Sequence, residues 1–245
     1  MAIVWWVMTT MPGMGEKSLC RGDADCCVLS GRLIPVCAQT GSVQALKADL
    51  PVFSDQANLT EQAKKTWLDD NISFLNQSAD VFAKNATCYF LTIDFDIASL
   101  LARNTQWQQS LQNLPFVSLV LNECFPNLVD GLKNPLLYAL RARFPLILGD
   151  LGKGDVPFHV VSSGLFSGVI LDGAFFQRYY RSPVLQIVLN KAREYSEFVA
   201  VGGVDSPAHY HEAKKLRGVS LMGKSLPASP VLGAESVFNN SFLIN

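Results

Sequence analysis

Three segments of this chain place an acid directly after an apolar run. They are Phe144–Asp155 (FPLILGDLGKGD), Val169–Phe175 (VILDGAF) and Val201–Asp205 (VGGVD). Each reads as a strand that leaves through glycine and acid, which is how an α/β barrel brings polar groups to its C-terminal rim. Carboxylates gathered there could hold divalent cations or act as a general acid and base. Glu123 and Asp150 each end a strand and could meet across such a rim; capping a helix or bracing a loop is the competing reading. Asp94 and Asp96, in TIDFD, alternate along a strand, which puts them on opposite faces, one at the rim and one toward a helix. The acids are nonetheless thin, because glycine or an aliphatic residue stands where a metal site needs a ligand.

The other reactive residue types carry little. His209 and His211 are two apart and do not share a helix face. Three histidines make no triad, and His159 reads as a loop residue near Gly154. Gly149, Gly152 and Gly154 lack the Gly-Lys-Ser/Thr ending of a phosphate loop and read as turn formers. The six cysteines, Cys20, Cys26, Cys27, Cys37, Cys88 and Cys124, contain no CxxC pair. They read as reduced thiols rather than a zinc site or a disulfide framework.

A regular alternation of elements is needed to position these groups. Cys26–Cys37 reads as a strand and Ser42–Lys47 as its return after a turn at Gln39-Thr40-Gly41. Asn58–Asn76 has the apolar spacing of a helix, with Asn58 or Thr60 as cap. Strands follow at Cys88–Phe95, Phe116–Glu123, Pro145–Gly149, Val169–Asp172, Phe198–Val201 and Gly218–Met222. Helices read at Ile97–Leu111, Leu132–Arg143, Phe175–Tyr195 and Pro207–Leu216. Near-continuous apolar strands separated by helices imply a parallel sheet covered on both faces.

Composition sets outer bounds. The 245 residues are 49% hydrophobic and 17% charged, which fits one barrel-sized domain and excludes a disordered chain. A net charge of -1 supplies no global field for nucleic acid or an anionic membrane. The apolar start Ala2–Met8 is too short to span a bilayer and has no basic region ahead of it. The expected location is cytoplasmic, with residues 1–25 as a poorly ordered N-terminal extension.

Six short motifs in order resemble the EAL domain, the cyclic di-GMP phosphodiesterase fold, over roughly Cys26 to Pro230. Leu33–Val36 (LIPV) with Thr40-Gly41 matches the opening Q-P-I…T-G, and Leu119–Glu123 (LVLNE) matches L-E-x-T-E. Leu148–Gly154 (LGDLGKG) stands for the D-D-F-G-x-G loop and VILDGAF for L-K-I-D-x-x-F. VGGVD stands for A-E-G-V-E, and Arg217–Val219 (RGV) for Q-G-Y. The resemblance implies a single-domain (β/α)8 TIM-like barrel over residues 26–245. It also implies that the chemistry has been removed. The family's enzymes hold two divalent metals that activate water against a phosphodiester. Here the signature Glu of E-A-L falls on Lys47 in the gap-free register, and reading Gln44-Ala45-Leu46 as the motif loses the acid too. The strand Asn falls on Asp94 and the first Glu of L-E-x-T-E on Val120. The D-D pair falls on Gly149 and Asp150, the Lys of L-K-I-D on Ile170, the first Glu of A-E-G-V-E on Gly202, and the Gln of Q-G-Y on Arg217. The second Glu of L-E-x-T-E persists as Glu123, whose implied role is to brace the D-D-F-G loop.

This erosion is similar to that of stand-alone degenerate EAL proteins of enteric bacteria that act as anti-FlhDC factors. PFVSLVLNECFP (Pro115–Pro126), PLILGDLGKG (Pro145–Gly154) and GLFSGVILDGAF (Gly164–Phe175) fit that subgroup. It implies a catalytically inactive protein, without metal or other cofactor, that binds the FlhD subunit of the flagellar activator FlhDC and represses motility. The alternative is a non-hydrolysing cyclic di-GMP receptor in which Lys47 and Arg217 meet phosphates. No partner-binding surface is legible; Phe175, Phe176, Tyr179 and Tyr180 are candidate anchors, but adjacent residues on a helix cannot all face one way.

Overall fold

A computed structural model describes residues 32–49, 60–154 and 156–226. The expected strand start at Cys26, the thiols Cys20, Cys26 and Cys27, and the extension 1–25 lie outside the described residues.

Eight strands close into one barrel in sequence order. They are β1 (Arg32–Cys37), β2 (Val43–Asp49), β3 (Cys88–Ile93), β4 (Val117–Asn122), β5 (Leu146–Leu151), β6 (Gly168–Leu171), β7 (Phe198–Val201) and β8 (Ser220–Leu221). From β2 to β8 every neighbouring pair is parallel. β1 runs antiparallel to both β2 and β8, so the barrel opens with a hairpin instead of a βα unit. The hairpin turn closes where the Ala38 N–H donates to Ser42 O at 2.8 Å, and Gly41 takes the left-handed φ of 91° that the turn needs.

The helices lie outside the strands. α1 (Glu61–Gln77) is capped by Thr60, whose Oγ1 accepts from Ala63 N–H at 3.2 Å. It buries Lys64, Trp67, Leu68, Ile72 and Leu75, a stripe at helical spacing. The other helices are α2 (Ala79–Lys84), α3 (Phe95–Arg103), α4 (Thr105–Gln112), a 3₁₀ turn at Leu128–Lys133, and α5 (Pro135–Arg141). They are followed by α6 (His159–Ser162), α7 (Gly173–Tyr179), α8 (Pro183–Tyr195) and α9 (Pro207–Ala213).

Several expected helices are split by side-chain caps. Asn104 turns the backbone out and its Oδ1 accepts from Gln106 and Trp107 N–H, so Ile97–Leu111 becomes α3 and α4. Ser182 and Pro183 restart the chain between α7 and α8 in the same way. Asn134 with Pro135 separates the 3₁₀ turn from α5 within Leu132–Arg143. His159, expected in a loop, opens α6. Among the described residues no helix is long and apolar enough to cross a membrane.

Two apolar clusters result. The larger lies between the barrel wall and the helices and includes Trp67, Leu91, Leu119, Leu148 and Phe176. The smaller fills the barrel with Val36, Ala45, Phe90, Val120, Ile147, Ile170, Ala200 and Met222. Each of β1 to β7 contributes one of these residues and Met222 follows β8, so the interior is a packed layer rather than a pore.

At the rim, the exits of β6 and β7 touch backbone to backbone. A Cβ on Gly203 (φ 76°) would lie 2.6 Å from Gly173 O, whereas Gly218 (φ 67°) has nothing within 4 Å of such an atom. Gly203→Ala therefore combines left-handed strain with a backbone clash and should cost about 2–4 kcal/mol. Gly218→Ala carries the strain alone, about 1 kcal/mol. Denaturant midpoints of the two variants check the contrast, and equal losses would contradict the close approach.

Candidate functional site

Side chains two apart on a strand share a face, so the layer above the inner ring is legible from register. Lys47 follows Ala45, Thr92 follows Phe90, Asn122 follows Val120, Gly149 follows Ile147 and Gly202 follows Ala200. This is the C-terminal mouth, where barrels gather their polar groups.

Lys47 is 5% exposed and its ammonium ion-pairs with Asp49 on the same strand. Thr92 Oγ1 donates to Asp49 Oδ1 at 3.1 Å. A cation, one carboxylate and a hydroxyl thus form a closed unit on β2 and β3. On the neighbouring side Asn122 Oδ1 is buried without a hydrogen-bond partner. Asn122 pairs in register with Gly149, and a Cβ on Gly149 would lie 2.7 Å from Asn122 Oδ1 and 2.8 Å from Val120 Cγ1. Val120 and Ile170, at 0% and 3% exposure, belong to the inner apolar ring. A Cβ on Gly202 would press on Leu171 O at 3.2 Å and Gly173 N at 3.3 Å.

The acids at the strand ends face elsewhere. Asp94 is the N-cap of α3, with Oδ1 accepting from Ile97 N–H at 2.8 Å. Its Oδ2 lies 2.8 Å from Lys64 Nζ, and Asp96 ion-pairs with the same ammonium. The two do not alternate across a strand, because β3 ends at Ile93 and both belong to the first turn of a helix. Burial opposes the charge on Lys64, and its bonds to Asp94 and Asp96 outweigh that effect and raise its proton affinity above the ordinary lysine value. Asp172 caps α7, accepting from Phe175 N–H at 2.9 Å. Asp150 sits at a left-handed φ of 56° in an irregular stretch of β5, and its nearest cation is the exposed Lys153 at 3.9 Å.

Glu123 is 6% exposed. Oε2 accepts from Gly152 N–H at 3.1 Å and Gly154 N–H at 2.7 Å, and Oε1 accepts from Val156 N–H at 3.2 Å. One carboxylate ties down three amides of the loop after β5. Glu123 and Asp150 therefore do not pair across the rim. Arg217 is exposed and precedes β8 by three residues, and the register Ala200↔Ser220 puts it beside the N-terminal end of β7. Lys47 stands in the mouth at the other end, so the structure does not bring these two cations together.

Of the histidines, His209 packs its ring on Tyr180 (4.9 Å between centroids) and Phe176 (5.8 Å), while His211 is exposed. Among the described residues no three His, Cys, Asp or Glu side chains converge as a metal-binding group. Sequence reasoning missed Asp49, Thr92 and Asn122. The period-two spacing from Lys47 could have found Asp49.

No family model matches the chain. It is 27% identical over 186 residues to the putative anti-FlhC(2)FlhD(4) factor YdiV of Escherichia coli K12, covering 74% of this chain and 78% of that protein. It is 25% identical over 166 residues to the anti-FlhC(2)FlhD(4) factor YdiV of Salmonella typhimurium LT2, covering 66% and 70%. Among solved structures it is similar to the EAL-like domain protein YdiV, with a TM-score of 0.73, 23% identity and coverage of 84% of this chain and 94% of that one. The phosphodiesterase PaMucR in complex with c-di-GMP gives 0.60 at 15% identity, covering 81% and 95%.

The three Glu123 bonds make a graded prediction. Glu123→Ala strands buried amides and should cost about 1–3 kcal/mol. Glu123→Gln keeps one oxygen for Gly152 and Gly154 but turns an NH₂ toward Val156 N–H, and should cost about 1 kcal/mol. Equal and negligible shifts in the denaturant midpoint would show that the carboxylate does not hold the loop.

Proposed function

We propose that this chain, a YdiV-like protein with the EAL barrel fold, has no phosphodiesterase activity and acts by binding the flagellar activator FlhC2FlhD4 through its FlhD subunit, which represses motility. The likeness to anti-FlhC2FlhD4 factors over 66–74% of the chain supports the partner. One observation supports the loss of chemistry: Val120, Ile170 and Gly149, three of the positions matched to the family's functional residues, lie in or against the barrel's apolar filling.

The residues present do not fit a pair of divalent cations. Two such ions need several hard oxygen ligands on one face. Asp49 is the carboxylate in this layer, and the ammonium of Lys47 already occupies it. Asp94, Asp172 and Glu123 are held by backbone amides, so turning any of them into the mouth would break a cap or free a loop. We read Lys47, Asp94, Val120, Gly149, Asp150, Ile170, Gly202 and Arg217 as vestiges of the enzymatic site, with Glu123 kept for the loop. The domain we propose runs over residues 26–245. The receptor alternative is not favoured, because Lys47 is neutralised and Arg217 stands at the opposite end of the barrel.

A net charge of -1 makes competition for DNA phosphates a weak route to inhibition. Inhibition through the activator is the consistent mechanism, and it requires no cyclic di-GMP. Size exclusion of the chain mixed with FlhC2FlhD4 should show co-elution, and a promoter gel shift should weaken in proportion to added protein. Separate elution at micromolar concentration with an unchanged shift would contradict the proposal. Gly149→Asp alone should give no turnover of cyclic di-GMP, since one carboxylate among Lys47, Val120 and Gly202 supplies a fraction of a site whose parts act as a unit. Measurable turnover by that variant would show the site to be nearly intact.

A further inference from the structure

The charge of the chain is unevenly distributed. Between Gly173 and Leu226 stand eight Lys and Arg (Arg178, Arg181, Lys191, Arg193, Lys214, Lys215, Arg217, Lys224) against four acids (Glu194, Glu197, Asp205, Glu212). Of the 20 Lys and Arg and 21 Asp and Glu in the whole chain, that leaves twelve against seventeen elsewhere. The excess falls on the side of the barrel covered by α7, α8 and α9.

Three of these cations are placed in the same way. The Arg178 guanidinium lies 5.3 Å from the ring centre of Tyr179, that of Arg181 lies 5.1 Å from Tyr180, and Lys214 Nζ lies 5.3 Å from Tyr210. All three cations are exposed and the tyrosines are half-buried. The groups are contiguous: Tyr180 packs on His209 of α9 at 4.9 Å, and Arg181 is close enough to Glu212 to help lower the proton affinity of that carboxyl. Glu212 is bonded to Lys215 at 2.7 Å, which contributes most to that lowering. Arg178, Arg181 and Lys214 themselves have no ion pair among the described residues.

A cation resting on an aromatic face keeps its outward N–H donors free and has already given up much of its side-chain freedom. Such a group binds a carboxylate with less ordering cost than a free lysine. Tyrosine and arginine together are also the residue types that dominate protein interfaces. Duplex DNA is the poorer match, since the chain as a whole carries a net charge of -1 and offers no extended basic field to a phosphate backbone.

We infer that the outer face of α7 and α9, centred on Arg178, Arg181 and Lys214 over Tyr179, Tyr180 and Tyr210, is the docking surface for a carboxylate-rich surface of a partner protein. This rests on the proposed function, takes FlhC2FlhD4 as the partner and gives that contact a location on this chain.

The test is a titration of the full chain with FlhC2FlhD4 by calorimetry. The variant Arg178→Glu, Arg181→Glu, Lys214→Glu should bind at least about tenfold more weakly. Raising the salt from about 50 to 300 mM should weaken the unaltered chain and leave the variant little changed. A control of equal charge change on the opposite side, Lys84→Glu, Lys133→Glu, Arg141→Glu, should bind as the unaltered chain does. The neutral variant Arg178→Gln, Arg181→Gln, Lys214→Gln gives the same reading should the reversal not fold. Unaltered chain that binds while both patch variants bind equally well overturns the location alone. No binding by the unaltered chain overturns the proposed function and this inference with it. Binding of the unaltered chain to bare duplex DNA, lost in the patch variants, would make the face a nucleic-acid site and overturn the inference.

Discussion

The apolar filling of the barrel is the constraint on which the rest depends. Eight residues, one from each of β1 to β7 and Met222 after β8, close the interior. Val120 and Ile170 are part of that filling, at positions where the resemblance places a carboxylate and an ammonium. A charged group there would have to leave water for a buried apolar interior, at a cost of several kcal/mol unless paired. On the proposed reading, the residues that take the place of the chemistry also complete the core. Gly149 belongs to this arrangement, because Val120 and Asn122 occupy the space its side chain would need.

Most of the charged residues near the rim are already engaged. Glu123 binds three loop amides, Asp94 and Asp172 cap helices, and Lys47 and Asp49 neutralise each other. The two aspartates each satisfy an orphan N–H at a helix start, which is a common use of acids after a strand. A barrel mouth built this way keeps its loops fixed while offering little to a cation. The outer helices, with their arginines over tyrosines, have the chemistry of a contact surface.

Much of the architecture was legible from the chain. The apolar runs at Phe116–Glu123, Pro145–Gly149 and Val169–Asp172 became β4, β5 and β6, and the return after Gly41 became the antiparallel hairpin. What was not legible came from short-range capping. Asn104 and Ser182 broke helices whose apolar spacing runs on through them. Asp94 and Asp96 look like alternating strand residues, yet Asp94 ends the strand by capping α3, and both acids then meet Lys64 from a separate helix. The mouth was harder still. Asp49 and Thr92 match no motif, and their meeting with Lys47 depends on β2 and β3 lying side by side. Arg217 could be matched to a motif but not located, since its distance from the mouth follows from the register of β8 against β7.

A filled, cation-bearing mouth should not perform metal-assisted hydrolysis. The most direct measurement is chromatography of cyclic di-GMP incubated with the purified full chain and Mn²⁺ or Mg²⁺. No linear dinucleotide should form above the level seen without protein. Turnover that scales with protein concentration and is abolished by chelator would contradict it.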